Sequence, residues 1–223
     1  MINVAEQLLY HHFCSIPFHN LNLLYGEQHY SAIPGGTCSD KTLAFLADAR
    51  TLGINARLHS ANIGGKEIHR LVKLNINGRI FFADAGNGWP TLHLLPADKH
   101  VSFECFGMKY QTKINKNWVK LFHQKQEIEQ LQIEINTDYK PEKTILAQIK
   151  SRYSSGIDYP FSNKLRFSLI VDDEFLFLRG NRLERYSKSG FSVQQITSQA
   201  IPETIEKEFG FNVNSYFNSE KNE

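Results

Sequence analysis

The sequence predicts an α+β fold in which a helical amino-terminal segment precedes an antiparallel sheet, and a segment of mixed helices and strands follows. Three observations indicate this order. Apolar residues recur at helical spacing before residue 53, alternating and β-branched stretches extend from residue 54 to about residue 135, and helix and strand patterns alternate after residue 141. The 223 residues therefore divide into segments 1–52, 53–140 and 141–223, with no linker long enough to separate independent domains.

Two helices, joined by a turn-rich loop, are predicted in the first segment. The first ends near Pro17, because proline does not continue a helix, and the second ends at Gly53. The residues that suggest them are Leu8, Leu9, His12 and Phe13 for the first helix and Leu43, Phe45, Leu46 and Ala49 for the second.

Turn residues divide the second segment into short strands. Pairs such as Gly64-Gly65 and Asn77-Gly78 stand between alternating stretches, which is typical of an antiparallel sheet. The third segment predicts, in chain order, a helix from Pro141 to Tyr153, strands from Leu165 to Val171 and from Glu174 to Arg179, and a last helix from about Pro202 to Phe209.

Composition and charge exclude several classes of protein. Hydrophobic residues at 41% and charged residues at 22% match globular averages, which excludes fibrous and disordered chains. The chain has 25 Lys and Arg against 23 Asp and Glu, without a long run of one sign, so no nucleic-acid partner is expected. No apolar stretch has the length of a membrane span and the first residues do not resemble a secretory signal. We therefore expect a cytoplasmic protein with no membrane partner.

The cysteines argue against both disulfides and a thiolate metal site. The chain has an odd number of cysteines, Cys14, Cys38 and Cys105. They are widely spaced, and none belongs to a C-x-x-C pair. At least one thiol is expected to be free, and no metal is assigned.

Cys38 is the candidate nucleophile. It follows Gly35 and Gly36 and opens the second predicted helix, where unpaired backbone N–H groups and the helix dipole favour a negative charge. A thiol in that position ionises more easily, and the thiolate is the reactive form. The alternative is that Cys38 is a small buried hydrophobic residue.

A hairpin further along the chain predicts a histidine–carboxylate pair. If Asn77 and Gly78 form a two-residue turn, opposed residues have numbers that sum to 155, so Asp84 faces Leu71. His69 lies two positions from Leu71 and points to the same face, which makes His69 and Asp84 diagonal neighbours. A carboxylate on one ring nitrogen leaves the other nitrogen for a nucleophile. A purely structural pair is the alternative.

Several ordered motifs resemble those of the arylamine N-acetyltransferase family. They are Ile16-Pro17-Phe18-His19-Asn20-Leu21-Asn22, Gly35-Gly36-Thr37-Cys38, His69-Arg70-Leu71, Asp84-Ala85-Gly86-Asn87-Gly88, Pro160-Phe161-Ser162-Asn163 and Glu208-Phe209-Gly210-Phe211. The resemblance extends from about residue 6 to residue 213. Because 15 residues precede Ile16, the chain looks like a divergent, amino-terminally short member.

The resemblance implies a fold and a reaction. The fold would be cysteine-protease-like, with the nucleophile on the helical segment, the histidine and aspartate on a β-barrel middle, and an α/β lid. Cys38, His69 and Asp84 would move an acetyl or related acyl group from acetyl-coenzyme A to an arylamine, hydrazine or N-hydroxyarylamine through an acyl-cysteine. Gly86 and Gly88 would lie near the phosphates of the acyl carrier, although a strand-ending turn explains them equally well. The partner implied is a small-molecule amine.

Two other functions stay open. The same triad would serve a hydrolase or an amide-forming acyltransferase with a different acceptor, and a non-catalytic binding protein would keep the fold alone. The oligomeric state is left undetermined by the sequence. The aromatic side chains that either line an amine pocket or belong to the core are Trp89, Phe103, Phe106 and Trp118.

The chain departs from the family around the nucleophile. The family has Arg before the two glycines and Glu in the Ile-Pro-Phe segment, whereas this chain has Pro34 and His19. If those two side chains pair in the family, their joint loss leaves no uncompensated buried charge, and we expect the fold to survive while the loop that holds Cys38 is set differently. The residues that follow the cysteine, Ser39, Asp40 and Lys41, replace a large apolar residue followed by Glu and Asn and are expected to reshape the pocket floor.

Overall fold

The computed structural model describes residues 1–26, 33–125, 127–153 and 159–218, which form six α-helices and two antiparallel sheets. The helices are α1 (Ile2–Ser15), α2 (Leu21–Tyr25), α3 (Cys38–Thr51), α4 (Glu142–Lys150), α5 (Ile201–Phe209) and α6 (Asn214–Asn218). The strands are β1 (Phe18–His19), β2 (Asn55–Ile63), β3 (Lys66–Ile76), β4 (Arg79–Ala83), β5 (Leu95–Pro96), β6 (Ser102–Cys105), β7 (Met108–Asn115), β8 (Trp118–Lys125), β9 (Ile128–Asn136), β10 (Arg166–Val171), β11 (Glu174–Arg179), β12 (Arg182–Ser187) and β13 (Gly190–Gln195). The predicted α+β class is confirmed.

The larger sheet contains β2 to β9 in the order β5-β4-β3-β2-β9-β8-β7-β6. It curls into an antiparallel half-barrel, with β5 and β6 at its two ends. Apolar side chains fill the concave side, among them Leu71, Phe82 and Leu121, all fully buried. Helix α3 packs against β2 and β3 and contacts α1. This packing holds the amino end of α3 beside the half-barrel.

The predicted hairpin register between β3 and β4 is confirmed. Val72 is opposite Ala83 and Ile76 is opposite Arg79, so opposed numbers sum to 155. Asn77 and Gly78 have φ angles of 52° and 79°, the left-handed values that a two-residue hairpin turn of this kind requires. The turn therefore fixes which side chains of the two strands share a face.

The smaller sheet has the order β1-β10-β11-β12-β13. One face contributes Phe175 and Phe177 to the same core as the half-barrel, and α5 covers the other face through Ile205 and Phe209. Strand β1 comes from the amino-terminal segment and pairs with β10, so the first and last thirds of the chain are joined by a ladder.

Some elements differ from the sequence prediction. Two strands were predicted in the carboxy-terminal segment, but the structure has four, because β12 and β13 continue the meander. Strand β1, α2 and α6 were not predicted, and α4 ends at Lys150, three residues earlier than expected. Within the described ranges, no helix is both long and apolar enough to cross a membrane.

Candidate active site

The loop before α3 places Cys38 at the first residue of that helix. Gly36 has a φ of 133°, and a Cβ there would lie 2.6 Å from Oδ2 of Asp40. The same oxygen accepts a hydrogen bond from the Thr37 backbone N–H at 2.9 Å. The Gly36 carbonyl accepts one from the backbone N–H of His19 at 2.8 Å. The Asp40 side chain caps the amino end of α3. Glycine is required at 36 because a larger residue would clash with that side chain.

His69 and Asp84 form the predicted pair. Nε2 of His69 lies 2.6 Å from Oδ1 of Asp84, and the two residues are 2% and 0% exposed. The second carboxylate oxygen accepts a hydrogen bond from Asn87 Nδ2 at 2.8 Å, and Asn87 Oδ1 accepts one from the Trp89 backbone N–H at 3.0 Å. Both oxygens of the buried carboxylate are therefore satisfied, and the ring orientation of His69 is fixed.

Cys38 completes the arrangement from the other side of the imidazole. Its Sγ lies 3.8 Å from the carbonyl oxygen of Ile68, and the thiol is close enough to the His69 ring for each group to shift the pKa of the other. Because Nε2 of His69 is held by Asp84, Nδ1 is the nitrogen left for the thiol. The structure thus brings together the three side chains that the sequence singled out.

The electrostatics of the site favour a thiolate and an imidazolium. Burial alone would raise the pKa of Cys38, but the hydrogen bond and charge of His69, together with the charge of Arg70, lower that pKa below its ordinary value. Burial opposes protonation of His69, but Asp84 and Cys38 outweigh it and raise the pKa of His69 to about 10. Both shifts favour the form in which the proton is on the ring and the thiol is ionised.

Two backbone donors are available beside the thiol. The N–H groups of Cys38 and Ser39 make no hydrogen bond with other described residues, as expected for the first turn of a helix. N–H groups at the start of a helix are the kind of donor that stabilises the oxyanion formed when a thiolate attacks a carbonyl carbon.

A cavity of about 350 Å³ opens onto Cys38 and His69. Its aromatic walls are Phe18, Trp89, Phe161 and Phe177. Its polar lining includes Asn87, His123, Gln130, Gln132, Arg166 and Arg179, and no aspartate or glutamate of the described chain lines it. A volume of this size accommodates a small organic molecule.

Of the four aromatic residues considered for an amine pocket, Trp89 alone lines this cavity. The other three do not line it, and for Phe103 and Phe106 the alternative, packing against the core, is the one observed. Phe103 stacks on Tyr110 at a centroid distance of 5.0 Å, Phe106 packs toward Phe175, and Trp118 begins β8. Alternation along a strand identifies an inward side chain but not which cavity it reaches.

Gly86 and Gly88 both line the cavity, but Gly86 has a packing reason of its own. A Cβ at Gly86 would lie 2.5 Å from Thr42 Oγ1 and 2.6 Å from the Cys38 carbonyl oxygen. Glycine at 86 therefore lets the segment after Asp84 approach the first turn of α3. A contact of either glycine with the acyl carrier stays a prediction.

Near the nucleophile, the residues that differ from the family's motifs lie in different surroundings. His19 is buried and stacks on Phe167 at a centroid distance of 5.7 Å, and burial lowers the pKa of His19 to about 4. A neutral ring thus occupies the position of the family's glutamate. The expectation that Ser39, Asp40 and Lys41 reshape the pocket floor was wrong, because none of them lines the cavity.

Sequence reasoning missed several polar residues of the site. Asn87 orients the carboxylate of Asp84, and its proximity to Asp84 in the sequence was the available signal. Arg166 and Arg179 belong to the carboxy-terminal sheet, and no local pattern indicates that this sheet closes one side of the cavity. Gln132 lies on β9, far along the chain from both.

A half-barrel that supplies a histidine–carboxylate pair to a cysteine at a helix start is an arrangement suited to covalent catalysis by a thiolate. The model of a family described as N-acetyltransferase matches residues 2–217. The chain belongs to this family, and the resemblance to the arylamine N-acetyltransferases is confirmed. Membership makes it an acetyltransferase.

Solved structures with the same fold are arylamine N-acetyltransferases. The Mycobacterium marinum enzyme has a TM-score of 0.81 at 17% identity, over 97% of this chain and 88% of that chain. Its complex with CoA has a TM-score of 0.80 at 17% identity, over 97% and 89%. The enzyme from M. tuberculosis has a TM-score of 0.78 at 21% identity, over 96% and 88%. At identities of 17% and 21%, the similarity to these structures establishes the fold alone. No curated protein sequence gives a significant match.

Proposed function

We propose that this protein transfers an acetyl group from acetyl-coenzyme A to an arylamine, hydrazine or N-hydroxyarylamine through an acyl-cysteine at Cys38. The observation that carries the proposal is that Cys38 and His69 line one cavity and shift each other's pKa, while Nε2 of His69 lies 2.6 Å from Oδ1 of Asp84. Family membership supports acetyl transfer, and the solved complex of a structural neighbour with CoA supports the donor.

In the first half-reaction, the Cys38 thiolate attacks the carbonyl carbon of the thioester. A bond forms between Sγ and carbon, and the negative charge moves to the carbonyl oxygen, within reach of the N–H groups of Cys38 and Ser39. When the intermediate collapses, the carbon–sulfur bond of the donor breaks and the imidazolium of His69 gives its proton to the leaving thiolate. The products are acetyl-Cys38 and free CoA.

In the second half-reaction, the amine attacks the acetyl-cysteine. Neutral His69 accepts the proton that the amine nitrogen loses, and Cys38 leaves as a thiolate. Asp84 holds the ring in one tautomer and stabilises the imidazolium that forms. The residues return to their starting charges, which gives ping-pong kinetics.

The decisive experiment is incubation with an isotopically labelled acetyl-CoA in the absence of amine, followed by peptide mass spectrometry. We expect one acetyl group per chain at Cys38, with Cys14 and Cys105 unmodified. Addition of an arylamine should discharge the label into the amide. Label on a lysine or on another cysteine, with Cys38 unmodified, would refute the mechanism.

Two variants complete the test. Cys38→Ser should lose the labelled peptide while keeping the unfolding temperature, because the side chains are nearly equal in volume. His69→Gln should be acylated at least about 10²-fold more slowly, since general acid–base groups contribute factors of that order. Release of acetate at the same rate with and without amine would instead assign the chain as a hydrolase.

A further inference from the structure

Three arginines stand in register across neighbouring strands of the smaller sheet. Arg166 of β10 is opposite Arg179 of β11, and Arg179 is opposite Arg182 of β12. Directly opposed side chains of antiparallel strands share a face, and like charges in that position repel. Three neighbouring guanidinium groups therefore raise the free energy of the folded protein unless anionic groups lie beside them.

The compensation within the chain is incomplete. Glu184 is fully buried, and its Oε1 accepts a hydrogen bond from Arg179 Nε at 3.1 Å and lies 3.7 Å from Arg182 Nη2. Lys125 adds a further positive charge, with Nζ 3.2 Å from the centroid of the Trp89 ring. Burial and the charge of Arg179 lower the pKa of Lys125 to about 8, although Glu184 opposes the shift.

Arg166 is the arginine of this row that has no direct ionic partner among the described residues. Its guanidinium makes no hydrogen bond or ion pair with any described residue, whereas Arg179 is bound to Glu184. Both arginines line the cavity that contains Cys38, and no carboxylate of the described chain lines it. Burial and, after it, the charge of Arg179 lower the pKa of Arg166, and the charge of Glu184 opposes them.

A second observation points to a polar ligand in the same cavity. The side-chain amide nitrogen and oxygen of Gln132 are both buried and have no hydrogen-bond partner among the described residues. Gln132 lines the cavity together with the two arginines and the aromatic walls. An unpaired buried amide is costly, and a ligand with polar substituents would relieve that cost.

We infer that Arg166, supported by Arg179, binds a carboxylate on the acceptor amine, so that the preferred acceptors are aromatic amines that carry an acidic group. This inference rests on the proposed function. A guanidinium binds a carboxylate through two parallel hydrogen bonds, and Phe177 and Trp89 supply flat surfaces for the ring. The arginines share one cavity of about 350 Å³ with the thiol, whereas the phosphates of CoA are separated from its sulfur by the whole pantetheine arm. The acceptor therefore fits this site better than the donor.

The test compares 4-aminobenzoate with its neutral analogue 4-aminobenzamide. We expect kcat/KM to be higher for the acid, and Arg166→Gln to lower the ratio of the two values about 10- to 100-fold, as expected for loss of a hydrogen bond to a charged group. Arg166→Lys should restore part of the ratio. Arg182→Gln is the matched control, because Arg182 belongs to the same row but does not line the cavity, and it should change the ratio less than threefold.

Two results would overturn the inference. One is an Arg166→Gln variant that weakens both amines by the same factor. The other is a variant that raises the KM of acetyl-CoA and leaves the acid-to-amide ratio unchanged, which would assign the arginines to the phosphates of the donor.

Calorimetric titration without any donor separates this inference from the proposed function. If Cys38 is not acylated, acetyl transfer through this cysteine is wrong, but binding of 4-aminobenzoate can still be compared with binding of 4-aminobenzamide. Wild type should bind the acid more tightly and Arg166→Gln should lose that preference. Equal binding of the two compounds by the wild type would reject the carboxylate subsite.

Discussion

Nε2 of His69 lies 2.6 Å from Oδ1 of Asp84, on the face of the β3–β4 hairpin that the two-residue turn dictates. Both side chains are almost completely buried, and Asn87 holds the second carboxylate oxygen. Because the carboxylate of Asp84 has no access to water, its negative charge is stabilised by these two partners. The pair is therefore rigid, and it presents the remaining ring nitrogen to Cys38.

Asp84→Asn should uncouple the thiol from the imidazole. The amide keeps the shape but removes the negative charge that raises the pKa of His69, so the imidazolium becomes less stable and the pKa of Cys38 rises. We expect acylation by acetyl-CoA to slow by a factor of about 10² to 10⁴. Alkylation of Cys38 by iodoacetamide should require a higher pH than in the wild type.

Asp48→Asn is the matched control for that variant. Asp48 also binds a buried histidine, with His12 Nε2 at 2.8 Å from Oδ2, but this pair joins α1 to α3 and does not line the cavity. It should affect stability without moving the pH profile of Cys38. If both variants shift the alkylation profile equally, Asp84 has no special coupling to the thiol.

The hairpin shows what could be predicted from the sequence. One turn of Asn77 and Gly78 fixed a register, and the register placed His69 and Asp84 on one face before any tertiary contact was known. No comparable local rule joins Cys38 to His69, because that contact depends on how α3 packs on β2 and β3. The family resemblance supplied this link.

The carboxy-terminal sheet shows where prediction failed and why. Strand β12 has charged residues on both faces, since Glu184 and Arg185 are neighbours, so its period-2 pattern is hidden. Strand β13 is exposed along its length and has no apolar face to detect. The arginine row itself comes from two local hairpin registers, but no local pattern shows that this sheet closes one side of the cavity, which explains why Arg166 and Arg179 were missed as cavity residues.

The three cysteines should differ in reactivity, most clearly at low pH. His69 and Arg70 lower the pKa of Cys38, whereas burial raises the pKa of Cys105 to about 11 and also raises that of Cys14. With limiting iodoacetamide at pH 6, we expect Cys38 to carry nearly all of the label. His69→Ala should abolish the preference. Equal labelling of Cys38 and Cys14 at this pH would favour a non-catalytic binding protein.

Gly36→Ala should damage the nucleophile loop specifically. The added Cβ would meet Oδ2 of Asp40 at 2.6 Å, and a φ of 133° is strained for any residue with a side chain. We expect a loss of about 1–3 kcal/mol in the free energy of unfolding and a marked loss of Cys38 alkylation at pH 6.

Gly53→Ala provides the control for backbone strain alone. Gly53 also has a positive φ, 73°, but a Cβ there would meet nothing within 4 Å. This variant should lose about 1 kcal/mol of stability and keep the reactivity of Cys38. Unchanged reactivity in both variants would show that the cap formed by Asp40 does not position the thiol.

Lys41 is a buried amine that fastens the end of α1 to the nucleophile helix. It is 1% exposed, and Nζ donates hydrogen bonds to the backbone carbonyls of His12, at 3.3 Å, and of Ile16. His12 lies in the last turn of α1 and Ile16 is its C-cap, where carbonyls left unpaired by the helix accept hydrogen bonds. Lys41 thus holds α1 to α3 near the position where the family's Arg and Glu are replaced by Pro34 and His19.

Lys41→Met should flatten the dependence of stability on pH. Burial lowers the pKa of Lys41 to about 7 from an ordinary value of 10.5, with Asp84 opposing the shift. Between these values the unfolded chain binds more protons than the folded one, so this group makes folding more favourable as pH rises, by at most about 1.4 kcal/mol per pH unit.

His69, whose pKa is raised to about 10, acts in the opposite direction over the same window and is present in both proteins. The difference in unfolding free energy between wild type and variant, from denaturant titrations at pH 7 to 10, therefore isolates Lys41. It should grow with pH in favour of the wild type, and a difference that stays constant would mean that Lys41 keeps its proton in the folded protein.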